Sequence, residues 1–266
     1  MRYSVCVDML FSNEEFGKRL EFAKMCDIQA IEFWKWSNKN IDAISEKIKK
    51  TGLGVSVFNI DSSSTKLSDE LSRGILNTGR KDDLIRSLSE SCKIYKKLEA
   101  AALIVLIGEK LNLSYKQQIK NIIESLKAAA EFAEKEDMTL VIEPLNDIDR
   151  KNYFLPRARE VIDIIKEIKS PNIKLLLDLY HEQLMAGNLI NTISENIDVI
   201  GHIHIADAPG RHELGSGEIN YKNILKTLKK LNYKNYVGFE FRSTLTTDKT
   251  INNIRSFILS HQHESP

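Results

Sequence analysis

Short apolar runs of strand-like composition alternate with longer amphipathic stretches from one end of this chain to the other. Eight such runs occur, and they read YSVCVDM, AIEFWKW, GVSVFNI, AALIVLIG, TLVIEPL, IKLLLDLY, VIGHIHIAD and YVGFEF. The amphipathic stretches with a helical period include residues 14–26, 40–51, 81–98, 115–136, 157–168 and 221–231. Nearly continuous apolar runs are typical of parallel strands that are buried on both faces. A strand–helix unit repeated eight times therefore predicts an α/β fold, the (β/α)8 or TIM barrel.

The length and apolar content of the chain suit one such barrel. A chain of 266 residues with 42% hydrophobic residues can bury a single large core. We therefore expect one TIM-barrel domain over residues 1–266, with fraying confined to the tail at 261–266. The stretches 61–80 and 206–220 follow the third and seventh strands without a clear helical pattern. We expect both to be loops on the face where the strands end, where they could form part of a lid.

Charge and cysteine content narrow the choice of partner and compartment. The formal net charge is +1 with 28% charged residues, so no overall field favours nucleic acid or an anionic membrane. The three cysteines match no metal-binding or redox spacing, which predicts a reducing, cytoplasmic setting. The first residues lack a signal-peptide pattern, and no apolar run reaches the roughly 18 residues of a membrane span. We expect a soluble protein with a small-molecule ligand.

Four of the predicted strands end at a residue that can bind a metal ion. In chain order these residues are Glu143, Asp178, His204 and Glu240, about one strand–helix unit apart each time. Because the active sites of (β/α)8 barrels lie at the C-terminal ends of the strands, we expect the four side chains to converge. Carboxylates placed together in a partly dry pocket repel one another, and a divalent cation relieves that repulsion. Three carboxylates and one imidazole favour Mg, Mn or Co over a structural zinc site.

Several of these residues have a simpler interpretation when taken alone. Asp178 could cap a helix that follows the sixth strand, and Glu240 could pair with Arg242 or another cation at the rim. His202 and His204 lie two apart on one strand, so their side chains point to the same side. His204 is nearer the C-terminal end, so we assign it to the metal. We expect His202 to be a buried, hydrogen-bonded core residue.

Other residues near the strand ends could hold a substrate. His181 lies just beyond the sixth strand, where a neutral imidazole could donate to a substrate oxygen, with a supporting or surface role as the alternative. Arg211 lies in the glycine-containing segment 208–218 and could clamp a carboxylate or a polyol, although a loop arginine usually faces solvent. Trp34 and Trp36 alternate along the second strand, and one of them could wall a sugar pocket or simply pack.

The motifs IEPLN, DLYH, GHIHIADAPGR and GSGEINY resemble those of the hydroxypyruvate isomerase family, within the larger group of xylose isomerase-like barrels. The resemblance runs from end to end and includes the SVCVDMLF start, the AIEFW strand and the ILNTGRKDD segment. It implies that Glu143 and Glu240 are paired acid/base carboxylates. It also implies that Asp178 and His204 complete a metal shell and that His181 and Arg211 hold substrate.

The resemblance implies a metal-dependent isomerase that interconverts hydroxypyruvate and tartronate semialdehyde, as a homodimer or homotetramer. At the position of His204, hydroxypyruvate isomerases often carry Gln, whereas ketose 3-epimerases carry His. A ketose 3-epimerase or another sugar-acid isomerase is therefore the nearest alternative, and a cyclitol or shikimate-type dehydratase is a third. A DNA-repair endonuclease on the same barrel should be basic and richer in histidine, which this chain is not. A non-catalytic binding module would leave the four ligands unexplained.

Overall fold

Parallel strands close into a barrel around the core of this protein. The computed structural model describes residues 1–262, with side chains through Ser260. The strands are β1 (Arg2–Cys6), β2 (Ala30–Phe33), β3 (Gly54–Asn59), β4 (Ala102–Leu106), β5 (Leu140–Glu143), β6 (Ile173–Asp178), β7 (Ile200–Ile205) and β8 (Tyr236–Phe239). Each strand pairs in parallel with the next, and β1 pairs with β8 to close the barrel. The predicted (β/α)8 barrel is confirmed, and each strand lies within one of the eight apolar runs except β1, which begins one residue before its run.

Helices connect the successive strands. They are α1 (Phe16–Met25), α2 (Ile41–Thr51), α3 (Thr65–Leu71), α4 (Lys81–Leu98), α5 (Tyr115–Glu136), α6 (Ala158–Ile168), α7 (Leu179–Met185), α8 (Leu189–Asn196), α9 (Tyr221–Lys230) and α10 (Thr247–Gln262). All six predicted helical stretches contain a helix whose ends lie within two residues of the predicted ones.

Capping residues explain where several helices begin and end. The side chain of Asn40 accepts a hydrogen bond from the Ala43 N–H at 3.1 Å at the start of α2. Ser114 does the same for the Gln117 N–H, also at 3.1 Å, at the start of α5. These bonds satisfy donors that have no partner within the helix. Gly52 ends α2 with a φ of 68°, a conformation that glycine adopts without strain.

The helices α3, α7, α8 and α10 were not among the predicted stretches. The pattern predicts a loop at 61–80, whereas the structure has α3 and a 3₁₀ turn at Leu76–Thr78. A helix of seven residues is too short for an apolar period to be read reliably, which explains the error at α3. The stretch 206–220 has no regular helix, as expected. At the C-terminus, α10 continues to Gln262, and positions 263–266 of the predicted frayed tail lie outside the described residues.

The state of the cysteines and the apolar character of the helices can be compared with the sequence-based expectations. Cys6, Cys26 and Cys92 are all buried and unpaired. Within residues 1–262, no helix combines the length and the apolar character that a bilayer span requires.

Candidate active site

Four buried side chains meet where β5 to β8 end. They are Glu143, the last residue of β5; Asp178, the last of β6; His204, one residue before the end of β7; and Glu240, directly after β8. One potential ligand atom from each lies within 4.8 Å of those of the other three. Asp178 and His204 are register partners on adjacent strands, which puts them at the same level of the barrel. The structure thus brings together all four residues that the sequence predicts as metal ligands.

The two oxygens of Asp178 have separate partners. Oδ1 accepts hydrogen bonds from the N–H groups of Tyr180 at 2.8 Å and His181 at 3.2 Å, so Asp178 is the N-cap of α7. Oδ2 faces the cluster and accepts from Arg211 Nη2 at 2.7 Å. The capping role that was the alternative interpretation of Asp178 is therefore real. It leaves the second oxygen available to the cluster, because a carboxylate has two.

His204 connects the cluster to the inside of the barrel. Its Nε2 lies 2.8 Å from Oε2 of Glu32 on β2. Its Nδ1 lies 3.0 Å from Glu240 Oε2 and 3.4 Å from Glu143 Oε1, and it is buried without a partner in hydrogen-bond geometry. Burial alone would lower the pKa of His204, but the charges of Glu240 and Glu32 outweigh it and raise that pKa well above its usual value.

Glu32 is the hub of a polar network in an otherwise apolar barrel. Its carboxylate accepts from Ser4 Oγ, from Ser56 Oγ at 3.1 Å and from His202 Nε2 at 2.9 Å, in addition to His204. Burial would raise the pKa of Glu32, yet the charges and hydrogen bonds of the two histidines lower it to about 2. His202 is 1% exposed and hydrogen-bonded, so the prediction of a buried core histidine is confirmed.

The two glutamates of the cluster differ in acidity. Burial raises the pKa of Glu143 to about 6, against the opposing effect of His204. Burial would also raise the pKa of Glu240, but the charges of His204 and Arg211 outweigh it and hold that pKa well below its usual value. Trp34, after the end of β2, adds to this effect, since its indole Nε1 donates to Glu240 Oε1 at 2.9 Å. Paired groups whose pKa values are pushed apart are typical of acid/base sites.

Arg211 and His181, the predicted substrate residues, border the same cluster. Arg211 Nη2 bridges Asp178 Oδ2 and Glu240 Oε2, which is the pairing with a rim cation that was the alternative interpretation of Glu240. The Nδ1 of His181 accepts from the Asn146 N–H at 3.3 Å, so the ring proton is on Nε2. That Nε2 is buried with no hydrogen-bond partner, 3.5 Å from Asp178 Oδ2. Burial lowers the pKa of His181 to about 4, which keeps the imidazole neutral.

A cavity of about 460 Å³ opens beside this cluster. Glu143, Arg211 and Glu240 line one part of it, and Ile104, Leu106, Leu145 and Trp34 add apolar surface. Cavities of this size hold small organic ligands. The site therefore combines a place for a ligand with a set of buried acid/base groups.

The donor set fits a divalent cation. Three carboxylates and the unpartnered Nδ1 of His204 converge, and Glu32 holds the opposite nitrogen of the same imidazole. A histidine that ligates a metal through one nitrogen usually donates its other N–H to a carboxylate or carbonyl. Buried carboxylates this close together also need a compensating positive charge. The residues that would hold the ion are Glu143, Asp178, His204 and Glu240.

Sequence reasoning missed Glu32 and left Trp34 undecided. Glu32 is a lone acid in the apolar run AIEFW, and a charge buried in a strand requires partners such as the two histidines of GHIHIAD. That signal was available in the sequence, although the pairing across the barrel was not. Trp34 is 41% exposed and donates its indole N–H to Glu240, so it lies at the rim of the site and not in the core.

Comparisons with known proteins agree with this architecture. The model of a family described as "Xylose isomerase-like TIM barrel" matches residues 20–257. Hydroxypyruvate isomerase from Escherichia coli (strain K12) is 30% identical over 93% of this chain and 96% of its own length. A 2-oxo-tetronate isomerase from Cupriavidus necator is 34% identical over about half of each chain, 51% and 52%.

The solved structures include a similar barrel from Brucella melitensis. It is described as an AP endonuclease of family 2, superposes with a TM-score of 0.87, and is 26% identical over 94% of this chain and 97% of its own.

Proposed function

The chain belongs to the hydroxypyruvate isomerase family of xylose isomerase-like TIM barrels, and from this premise we propose that it is a metal-dependent isomerase of small hydroxy-carbonyl acids. The protein is an isomerase of the sugar isomerase/epimerase type by its relatives. The reaction that we propose is the interconversion of hydroxypyruvate and tartronate semialdehyde through an enediolate. The observation that carries the proposal is the pair Glu143 and Glu240, both within 3.4 Å of His204 Nδ1 and with pKa values moved in opposite directions.

The proposed metal ligands are Glu143, Asp178, His204 and Glu240. A divalent cation such as Mg, Mn or Co held by them would polarise the substrate carbonyl and stabilise negative charge on the neighbouring oxygens. Glu32 fixes the orientation of His204 through the hydrogen bond to Nε2. Arg211 adds a fixed positive charge next to Asp178 and Glu240.

Glu143 is the proposed base. Because burial raises its pKa to about 6, its ionised form accepts a proton more readily than that of Glu240. Glu143 takes the proton from the hydroxyl-bearing carbon and returns it to the former carbonyl carbon, while the hydroxyl proton moves to the former carbonyl oxygen. His181, a neutral imidazole with a free Nε2–H, donates a hydrogen bond to the substrate oxygen that gains negative charge.

A ketose 3-epimerase is the second candidate. It needs the same groups, except that Glu240 instead of Glu143 returns the proton, to the original carbon and from the other face. The cavity of about 460 Å³ favours this candidate, because it has room for a sugar longer than three carbons. The similar barrel from Brucella melitensis is described as an AP endonuclease, but the site of this chain does not favour that activity, since only one histidine is among the four clustered ligands and the net charge is +1.

Proton exchange in D2O tests the proposal directly. Metal-loaded protein is incubated with hydroxypyruvate, with 2-oxo-tetronate and with ketopentoses and ketohexoses, and deuterium incorporation is followed by NMR. Deuterated hydroxypyruvate together with tartronate semialdehyde supports the isomerase. Exchange at C3 of a ketose alone supports the epimerase, and no exchange on any substrate rejects both.

Variants assign the exchange to the cluster. Glu143→Gln should abolish exchange while keeping the fold, because an amide cannot carry the proton. Glu240→Gln should also abolish it, because it removes a proposed metal ligand and, in the epimerase, the group that returns the proton. Glu218→Gln removes an exposed acid whose side chain accepts a hydrogen bond from Gln183 at 3.1 Å, outside the cluster, and it should behave as wild type. Substantial exchange by either cluster variant rejects that glutamate's role.

We further propose a cytoplasmic homodimer or homotetramer. The buried, unpaired cysteines are consistent with a reducing compartment. Sedimentation velocity of the purified protein tests the oligomeric state, and a monomer at micromolar concentration rejects it.

A further inference from the structure

The cavity next to the cluster has a second, cationic side. Arg19, Lys35, Lys39 and Arg150 all line it, together with the acids Asp8 and Asp61. Arg19 lies on α1, Lys35 and Lys39 follow β2, and Arg150 lies on the segment after β5. A cavity with clustered acids on one side and clustered cations on another suits a ligand that carries a negative charge away from its reacting atoms.

Most of these cations already have a carboxylate partner. Arg19 and Lys39 both pair with Asp8, at 3.0 and 2.8 Å. Lys35 pairs with the exposed Asp69 at 3.0 Å. Their charges are therefore partly or wholly compensated before any ligand binds.

Arg150 is different. Within the described residues it lies within ion-pair distance of no carboxylate, and its guanidinium donates through Nη2 to the carbonyl oxygen of Ser72 at 2.8 Å. Ser72 closes α3 and also lines the cavity, so this bond ties the segment after β5 to the segment after β3. It holds the guanidinium at the cavity wall and leaves the Nε and Nη1 groups free to donate.

We propose that Arg150 binds the carboxylate of the substrate and thereby selects hydroxy-carbonyl acids over neutral ketoses. A guanidinium presents paired N–H groups that match a carboxylate, and one that is already held in place loses little freedom on binding. Arg19 and Arg211 also line the cavity, but Asp8 already pairs with Arg19, and two carboxylates of the cluster already bind Arg211. This assignment rests on the proposed function, which identifies the hydroxy-carbonyl group as the reacting end of the substrate.

Matched substrate pairs test the assignment. Hydroxypyruvate is compared with dihydroxyacetone, and 2-oxo-tetronate with erythrulose, because each neutral partner replaces the carboxylate by a CH2OH group. Arg150→Gln should raise KM for the acids by roughly 10- to 100-fold, the value of one charge-assisted pair, and leave kcat within a few-fold. Its KM for the neutral ketoses should not change. Arg150→Lys keeps the charge but lacks the paired N–H groups of a guanidinium, so its KM for the acids should lie between those of wild type and Arg150→Gln.

Arg159→Gln is the control variant. It removes the same charge from the exposed face of α6, where Arg159 pairs with Asp163. This variant should leave KM for both members of each pair unchanged. If Arg150→Gln behaves like Arg159→Gln, the assignment is overturned. It is also overturned if Arg150→Gln weakens only phosphorylated ketoses and not carboxylates.

Calorimetry separates this assignment from the proposed reaction. Erythronate has a carboxylate but no ketone, and erythritol has neither, so binding of each to the Mn-loaded protein is measured without turnover. Erythronate binding that Arg150→Gln weakens at least 10-fold supports the carboxylate site, even if hydroxypyruvate is not a substrate. Hydroxypyruvate turnover with the same KM in wild type and Arg150→Gln supports the isomerase and overturns the carboxylate site.

Discussion

The carboxylate of Glu32 on β2 lies 2.8 Å from Nε2 of His204 on β7, across the inside of the barrel. The strands β2 and β7 are not neighbours in the sheet, so the contact exists only because the barrel closes. Glu32 is thereby placed behind a proposed metal ligand. It fixes the ring of His204 and offers a negative charge to the imidazole.

We therefore predict that Glu32→Gln weakens metal binding by about 10- to 100-fold, the usual effect of losing a carboxylate behind a metal-binding histidine. Titration calorimetry with Mn²⁺ measures this affinity. Ser56→Ala is the control, since it removes another donor to Glu32 at 3.1 Å and leaves the contact with His204 in place. Equal Mn²⁺ affinity in Glu32→Gln and wild type would show that Glu32 does not orient the ligand.

Gly238 on β8 has no side chain and so leaves room for the carboxylate of Glu32 inside the barrel. A Cβ at Gly238 would lie 2.1 Å from Glu32 Oε1 and 2.8 Å from its Cδ. Four donors hold that carboxylate, so it cannot move without losing hydrogen bonds. We predict that Gly238→Ala destabilises the fold by about 1–3 kcal/mol, the usual cost of overpacking, and weakens Mn²⁺ binding.

Gly54 at the start of β3 is the matched control for Gly238. Its nearest neighbours would lie 3.6 to 3.8 Å from an added Cβ, which is ordinary contact. Gly54→Ala should therefore change the free energy of unfolding by less than about 1 kcal/mol. Urea denaturation compares the two variants, and similar stabilities would refute the steric argument.

The barrel and the four-residue cluster follow from patterns that a sequence displays directly. The strand runs of four to six residues and six of the seven helices with ten or more residues show a period that can be read, with α10 as the exception, and parallel strands bring their C-terminal ends together by topology. The sequence alone therefore predicts that Glu143 and Asp178 lie at one end of the barrel. The short helices α3 and α7 could not be predicted, because seven residues are too few to show a period.

Contacts between elements far apart in the chain are what the sequence does not reveal. Asp178 illustrates this, since one oxygen caps α7 as a local pattern suggests and the other meets Arg211 from a distant loop. The bond between Arg150 and the Ser72 carbonyl likewise depends on how two loops fold over the barrel. Partner choice of this kind is set by tertiary packing and not by spacing along the chain.

Trp34 positions Glu240, and we predict that Trp34→Phe lowers kcat by about 10-fold. The variant keeps an aromatic ring at the rim but removes the indole donor at 2.9 Å from Glu240 Oε1. Since that hydrogen bond helps to lower the pKa of Glu240, the same variant should shift this pKa upward. A pH profile of kcat measures both effects.

Trp36→Phe is the control for Trp34→Phe. The indole of Trp36 donates to Ser91 Oγ at 3.0 Å, away from the cluster. Its loss should leave kcat and the pH profile unchanged. If both tryptophan variants lower kcat equally, the effect comes from a loss of side-chain packing common to both variants and not from the hydrogen bond to Glu240.

Glu182 on α7 gives the protein an unusual dependence of stability on pH. Its side chain is buried, with the residue 4% exposed, and Oε2 accepts from the Ala158 N–H at 2.8 Å. Burial raises its pKa to about 7 from the ordinary value of 4.5. Between those values the folded state keeps a proton that the unfolded state has lost. The stability that the protonated Glu182 side chain contributes is therefore fully present below pH 4.5 and is lost as the pH rises through about 7.

We predict that Glu182→Gln, which keeps the acceptor for Ala158 but cannot ionise, is more stable than wild type at pH 8 by about 3 kcal/mol. At pH 4.5 the advantage should be small, so the difference in free energy of unfolding should grow with pH. Urea unfolding from pH 4.5 to 8 measures it. The exposed Glu167 on α6 supplies the control, because Glu167→Gln should change stability by less than about 0.5 kcal/mol at every pH. A constant difference between Glu182→Gln and wild type across this range would mean that folding does not shift the pKa of Glu182, and it would refute the prediction.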